Sequence, residues 1–341
     1  MPAVEERQVV VELSLEHELF PAAEVEALSG IAAFTTAKMH RELAILRSRD
    51  ADLTAGKLCS RLAFSHSVSF LLGDYSTWAE VLKSAQLCGR ELGGNTFRVR
   101  VVTRDREMKR LVPSMERELG GVISRYGRVD ISNAGTEFRV FYSDGRFMLT
   151  MLRCAVDRRA IDRRSASNRV FFSPVSLPPR YAKGLLNLCR VSEGERVLDP
   201  FCGTGGIVME SMLMGADTVG TDIDGAMISG TIANLRQIGI GGKYELHVLD
   251  VSDIPSLGRF DAIVTDPPYG RSSYMNREQP ESLYARAMTA FAQCLKRGGR
   301  LGIVLPDPSL VDGGKAFTLE TCIRQKVHRS LTRNYMVFSR N

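Results

Sequence analysis

Four apolar runs in the second half of the chain each close on an aspartate, and this repeat constrains the fold more than any other feature. Val197-Leu198 ends at Asp199, Thr218-Val219-Gly220-Thr221 at Asp222, Tyr244-Glu245-Leu246-His247-Val248-Leu249 at Asp250, and Phe260-Asp261-Ala262-Ile263-Val264-Thr265 at Asp266. Short apolar runs spaced by helix-length stretches read as strands of a doubly wound α/β sheet. In such a sheet ligands bind in the crevice outside the carboxyl ends of the strands. One aspartate at a strand end is explained as a cap or turn residue, since Asp favours those positions. Four in series describe an acid-lined crevice.

The last run carries the most chemistry, because Asp266 is followed by Pro267, Pro268 and Tyr269. Two prolines cannot donate to a ladder or continue a helix, so the strand stops and the chain turns outward. One carboxylate, rigid backbone carbonyls and one aromatic ring then face the crevice. The carboxylate and a proline carbonyl can accept the two N–H bonds of an exocyclic amine while the ring stacks on the attached base. A bare tetrapeptide of this kind is also an ordinary strand-ending turn. The segment upstream weighs against that reading. Asp199-Pro200-Phe201-Cys202-Gly203-Thr204-Gly205-Gly206 is an acid followed by a glycine-rich turn into a helix-like stretch, and Val208 stands where a dinucleotide fingerprint wants its third glycine. An acid ahead of the glycines suits a cationic amine near the turn, which points to S-adenosylmethionine. Asp222, 23 residues after Asp199, lies about where an acid meets a ribose in such folds, and Asp250 is placed to accept from an adenine amino group.

Residues from about Phe171 onward resemble the class I, amino-directed S-adenosylmethionine-dependent methyltransferases, with D-P-F-C-G-T-G-G as cofactor loop and D-P-P-Y-G as catalytic loop. The resemblance implies a cofactor site at Asp199, Cys202, Gly203, Thr204, Gly205, Asp222, Ile223, Asp250 and Val251. It implies a catalytic site at Asp266, Pro267, Pro268 and Tyr269. DNA adenine and cytosine amino-methyltransferases and RNA guanine-N2 methyltransferases share these loops, so the loops alone leave the substrate open. Protein-glutamine methyltransferases usually carry Asn at the first position of the tetrapeptide, where this chain has Asp266.

Charge is distributed unevenly. Residues 51–190 carry 24 Lys and Arg against 13 Asp and Glu, a balance of +11, whereas residues 1–50 (5 against 9) and 191–341 (16 against 17) are slightly acidic. A basic stretch beside a near-neutral catalytic region suggests a polyanion-binding platform, with a solvated basic face as the plain alternative. Arginines peak just before the catalytic region, and Arg158, Arg159, Arg163 and Arg164 are the candidate RNA contacts, because guanidinium suits phosphate.

Thr96-Phe97-Arg98-Val99-Arg100-Val101-Val102, a helix-like stretch from Glu107 to Leu119, and short strands at 129–131, 137–142 and 146–151 resemble the THUMP domain, an RNA-binding module of tRNA-modifying enzymes. The stretch before it resembles the ferredoxin-like domain that commonly precedes THUMP. The expected organisation is an α/β chain with a ferredoxin-like domain over 1–60, a THUMP domain over 61–160, and a linker plus Rossmann-like methyltransferase domain over 161–341. Along nearly its whole length the chain resembles the tRNA guanine-10 N2-methyltransferase family, archaeal or eukaryotic. The lead-in Asn168–Ala182 and the hairpin around His328–Arg333 add to that likeness.

The resemblance implies methylation of the N2 amine of a guanine in tRNA, with position 10 as the expected site and the product mono- or dimethylated. Another tRNA or rRNA guanine, or a DNA amine, is the alternative. It also implies tRNA as partner, with a small zinc-binding activator subunit as an open addition, and a cytoplasmic setting without membrane or DNA. Seven cysteines without a C-x-x-C pair and five histidines without metal spacing lead us to expect neither zinc nor disulfides, and Cys202 is not needed as a nucleophile for amine methylation.

Overall fold

The computed structural model describes residues 7–173, 176–239, 241–269, 278–329 and 331–341. Pro174, Val175, Gly270 and Ser330, parts of the motifs read above, lie outside the described residues, as do residues 1–6 of the expected N-terminal domain. The first half of the chain forms β1 (Arg7–Leu13), α1 (Phe20–Ala27), α2 (Ser29–Ala32), β2 (Thr35–Met39), β3 (Leu43–Ser48), α3 (Ala51–Arg61), β4 (Ser65–Tyr75), α4 (Trp78–Gly89), β5 (Thr96–Thr103), α5 (Met108–Ile123), β6 (Arg128–Val129), β7 (Thr136–Ser143) and β8 (Arg146–Ala155). The second half forms α6 (Arg158–Asp162), α7 (Pro179–Leu188), β9 (Arg196–Asp199), α8 (Gly206–Leu213), β10 (Asp217–Asp222), α9 (Gly225–Ile238), β11 (Tyr244–Val248), β12 (Phe260–Thr265), α10 (Pro280–Cys294), β13 (Leu295–Leu305), β14 (Phe317–His328) and β15 (Leu331–Arg340). Among the described residues no helix is long and apolar enough to cross a membrane.

The elements gather into two compact units, one of Met1–Leu15, Ala32–Ser60 and Ser65–Val156, the other of Glu16–Ile31, Arg61–Phe64 and Asp157–Asn341. The first unit is built on one eight-stranded sheet of order β2-β3-β1-β4-β8-β7-β5-β6, so strands from before and after residue 60 belong to a single ladder. β1 is its antiparallel centrepiece in the N-terminal part, with Val9, Val10 and Val11 all fully buried between β3 and β4. Helix α5 runs on through Gly120 and Gly121, where the sequence suggested an end, because Leu119 and Ile123 both pack into the core with Phe97, Val140 and Leu149. Cys59 and Cys154 form a disulfide with Cα atoms 6.2 Å apart, contrary to the expectation of free thiols. A sequence separation of 95 hid this pairing, since only the fold brings α3 against β8.

The second unit is built on a seven-stranded sheet of order β11-β10-β9-β12-β13-β15-β14. Its first five strands are parallel, and β15 and β14 join antiparallel. Period-two alternation supplies both faces. Val197, Val264, Val304 and Val337 enter the core against α7, while Leu198, Ile263, Ile303 and Phe338 enter the core against α10. Chain order reverses between β9 and β12, which makes their carboxyl ends the switch point at which doubly wound sheets bind ligands.

Part of this unit comes from far upstream. Phe20 of α1 and Phe64, both fully buried, pack on Tyr181 with ring centroids 5.5 and 4.9 Å away. The fully buried Glu24 accepts from the Ala63 and Phe64 amides and from Asn187 Nδ2 at 3.0, 2.9 and 2.8 Å. Burial pushes its carboxyl above the usual range, and these donors oppose the shift.

Candidate active site

The four strand-end acids meet in one cavity of about 580 Å3, lined by Asp199, Asp222, Asp250 and Asp266 with the glycine turn and the tetrapeptide. The turn has its shape for a clear reason. Gly203 and Gly205 adopt left-handed φ values of +51° and +81°, where a side chain is strained. A Cβ on Gly205 would come within 2.7 Å of Thr231, whose hydroxyl donates to the Gly203 carbonyl at 2.8 Å, whereas the space over Gly203 is open. The backbone is held from below and clear above, so a ligand can approach it closely.

Each acid has its own environment. Asp199, 2% exposed, accepts from the Thr265 hydroxyl at 2.8 Å and the Phe201 amide at 3.3 Å. Burial pushes it up to about 7, and the charges of Asp266 and Asp222 add to the rise. Asp222 accepts from the Gly203 amide at 3.0 Å and the Asp224 amide at 2.9 Å, so it braces the turn as well as facing the cavity. Burial raises it too, against the pull of those amides. Asp250 differs. Burial would raise it, but Arg286 at 2.7 Å and the Ser252 amide at 2.9 Å outweigh burial and hold it below the usual carboxylate range.

Asp266 follows β12 directly, and burial pushes its carboxyl up to about 7 against the opposing pull of Arg333 and of the Tyr269 hydroxyl. Its Oδ1 is buried in a wall of the cavity with no hydrogen-bond partner among the described residues. A buried acceptor left unpaired costs stability, so it calls for a donor from a ligand. The turn around it is rigid: Tyr284 donates to the Pro268 carbonyl at 2.8 Å, and Arg333 Nε donates to the Tyr269 hydroxyl at 2.9 Å.

Cys202, Thr204, Ile223 and Val251 also line the cavity. Thr204 is fixed from behind by Arg169, whose Nη1 reaches its hydroxyl at 3.1 Å while its Nε donates to the Arg164 carbonyl. Burial lowers Cys202 reactivity by raising its thiol well above the ordinary value, and the Asp199 and Asp222 charges reinforce this. The arginines proposed for RNA fall into two groups. Arg164 gives two hydrogen bonds, 2.7 and 2.8 Å, to the buried Glu210, and Arg158 pairs with Glu16. Arg159 and Arg163 have exposed side chains, Arg163 lying 3.7 Å from Asp157.

Sequence reasoning missed Arg286, and read Arg169 only as part of the arginine-rich lead-in and Arg333 only as part of a hairpin. No spacing signal points to them, because each meets its acid or loop through the tertiary fold. S-adenosylmethionine fits this donor set: acids face a cationic ligand, the glycine turn leaves room for its backbone-like end, and Asp222 and Asp250 keep acceptor capacity for ribose and adenine.

Comparison with known proteins agrees. The UPF0020 family profile, an RMKL-like methyltransferase domain, matches residues 166–334. The tRNA (guanine(10)-N2)-dimethyltransferase of Methanothermobacter thermautotrophicus is 32% identical over 98% of this chain and 99% of its own. That of Pyrococcus abyssi is 34% identical over 86% of this chain and 90% of its own. Among solved structures, TrmN from Thermus thermophilus shares the fold at a TM-score of 0.58 and 20% identity, over 98% of this chain and all of that one. The chain thus belongs to the tRNA (guanine(10)-N2)-dimethyltransferase family, on the class I S-adenosylmethionine-dependent methyltransferase fold.

Proposed function

We propose that the chain methylates the exocyclic N2 amine of guanine 10 in tRNA, giving N2-methyl- and N2,N2-dimethylguanosine in a cytoplasmic setting. The observation that carries this reading is the buried Oδ1 of Asp266, without a partner among the described residues, beside a rigid proline turn in the acid-lined cavity. Family membership names the amine.

S-adenosylmethionine, when bound, supplies a methyl group on a cationic sulfonium. Asp199 and the Gly203–Gly205 turn would hold its amino-acid end, Asp222 and Ile223 its ribose, and Asp250 and Val251 its adenine. A guanine N2 lone pair is delocalised into the ring and is a poor nucleophile while the amine stays planar. Asp266 and the Pro267 carbonyl, as two oriented acceptors, favour the pyramidal amine and concentrate the lone pair on nitrogen. Tyr269 supports the flipped base. Asp266 takes the departing proton, a task suited to a carboxyl raised towards neutrality.

The N-terminal half reads as ferredoxin-like and THUMP segments that bind tRNA, with Arg159 and Arg163 as exposed candidates for phosphate contacts. A zinc-binding activator subunit is a partner to be tested by adding one.

The test uses tRNA transcripts carrying guanosine or inosine at position 10, the latter lacking the N2 amine. Methyl transfer should occur on the first and vanish on the second. Equal labelling of both transcripts, or labelling of duplex DNA instead, would overturn the assignment.

A further inference from the structure

The mechanism above leaves unused a buried cation that touches the tetrapeptide. Arg333 of β15 is only 4% exposed, yet it belongs to no surface and pairs with no carboxylate at ion-pair distance among the described residues. Its neighbour Asn334 is pinned across the sheet, donating to the Leu305 and Pro306 carbonyls at 3.1 and 2.9 Å, so the strand is held in register where Arg333 leaves it. Its Nε donates to the Tyr269 hydroxyl at 2.9 Å. With one phenol lone pair taken by Arg333, the hydroxyl proton is directed to Asp266, whose carboxylate accepts it.

We propose that Arg333 is the positioning residue of the methyl-transfer site: through Tyr269 it fixes the orientation of Asp266 and sets the pH range over which that carboxylate can receive the amine proton. The inference rests on the reading of Asp266 as the amine acceptor. Burying a cation is costly unless it is compensated, and the compensation here is the Asp266 charge together with the Tyr269 hydroxyl. Burial would lower the Arg333 guanidinium, but those two groups outweigh it and raise it instead.

The groups around Asp266 come from several elements. Asp199 faces it from the end of β9, Tyr284 from α10, Tyr335 and Arg333 from β15, and Tyr269 from its own turn. Arg333 is the positive charge among them. Tyr269 itself is pushed up to about 12 by burial and by the Asp266 charge, so it stays a donor across the working pH range. Removing the cation leaves burial, the tyrosines and Asp199, none of which favours a charged carboxylate except the Tyr269 hydrogen bond.

Two readouts test this on the full chain. One is the carbon-13 shift of the Asp266 carboxyl followed across pH, which needs no turnover. The other is the single-turnover methylation rate of tRNA across pH. In wild type both should report a midpoint near 7. In Arg333→Met the midpoint should rise by about one pH unit or more, with a rate loss of about fivefold or more at pH 7 that recovers at higher pH. Arg333→Lys should restore the midpoint, because the charge returns, but not the full rate, because the ammonium lacks the guanidinium geometry. Tyr269→Phe should raise the midpoint by a smaller step.

An Arg333→Met midpoint equal to wild type, with the rate lowered by one factor at every pH, would reduce Arg333 to a structural residue and overturn the proposal. Should Arg333→Met not fold, an unshifted Asp266 midpoint in Tyr269→Phe overturns it in the same way. A wild-type protein that shows the carboxyl titration but methylates no tRNA contradicts the functional reading and leaves the Arg333 coupling to stand or fall on the carbon-13 shift alone.

Discussion

The strand-end acids and the arginine cluster before the catalytic region have opposite relations between sequence and role. Asp199, Asp222, Asp250 and Asp266 line one cavity because a parallel sheet places successive strand ends side by side, whatever their neighbours are. The arginines carry no such guarantee. Arg164 and Arg169 lie only five residues apart from each other and near Arg159 and Arg163, yet the first two turn inward to Glu210 and Thr204 while the last two face solvent. Topology fixes where a strand-end residue is, but the partners supplied by the rest of the fold decide where a long cation points.

The largest effect that would sharpen this contrast is on stability. Arg164→Ala strips Glu210, 1% exposed, of both its hydrogen bonds to a guanidinium, leaving only the charges of Lys183 and Arg169 near it. Thermal unfolding should show a loss of about 3–5 kcal/mol, as for other broken buried pairs. A melting temperature within a degree of wild type would return Arg164 to the surface group. Next comes Asp266→Ala, which should stay folded and lose about 3 kcal/mol of transition-state stabilisation, roughly a hundredfold in single-turnover rate, as at other preorganised acceptor sites. A loss below threefold would remove Asp266 from the reaction.

The exposed pair comes third. Arg159→Glu with Arg163→Glu should weaken tRNA binding about tenfold and flatten its salt dependence, leaving cofactor affinity and melting temperature unchanged. The same result in Arg164→Glu, without unfolding, would erase the division drawn here.

A further expectation, of a different kind, is a pH dependence of stability. Asp199 and Asp266 sit near 7 in the folded chain, against about 3.9 for an unfolded aspartate. Between those values the folded state holds protons that the unfolded state has released, so stability is full below about pH 4 and falls as pH rises to about 7. Asp199→Asn should shrink that fall in melting temperature, and an identical pH profile would show that Asp199 is ionised at ordinary cost.

Much of the catalytic sheet was legible in the sequence for the same topological reason. The run Phe260–Thr265 is β12 residue for residue, and β9, β10 and β11 end within two residues of their acids. Alternating apolar residues and prolines are local signals, and they survive folding. What the sequence did not disclose depends on distance. Arg333 reaches Tyr269 across 64 residues, Arg286 reaches Asp250 across 36, and Cys59 joins Cys154 across 95. Helix α1 is the largest case: Phe20 and Glu24 complete the core around α7 from more than 150 residues upstream, and no period or motif in the N-terminal segment announces that.

The central claim is that Asp266 and its proline turn present a guanine amine for methylation. It is tested most directly by mass spectrometry of nucleosides from an unmodified tRNA transcript incubated with labelled S-adenosylmethionine and either wild type or Asp266→Ala. The account predicts label in N2-methylguanosine and N2,N2-dimethylguanosine with wild type, and roughly a hundredfold less with the variant at equal time. Label in any other nucleoside, or equal yields from the two proteins, would contradict it.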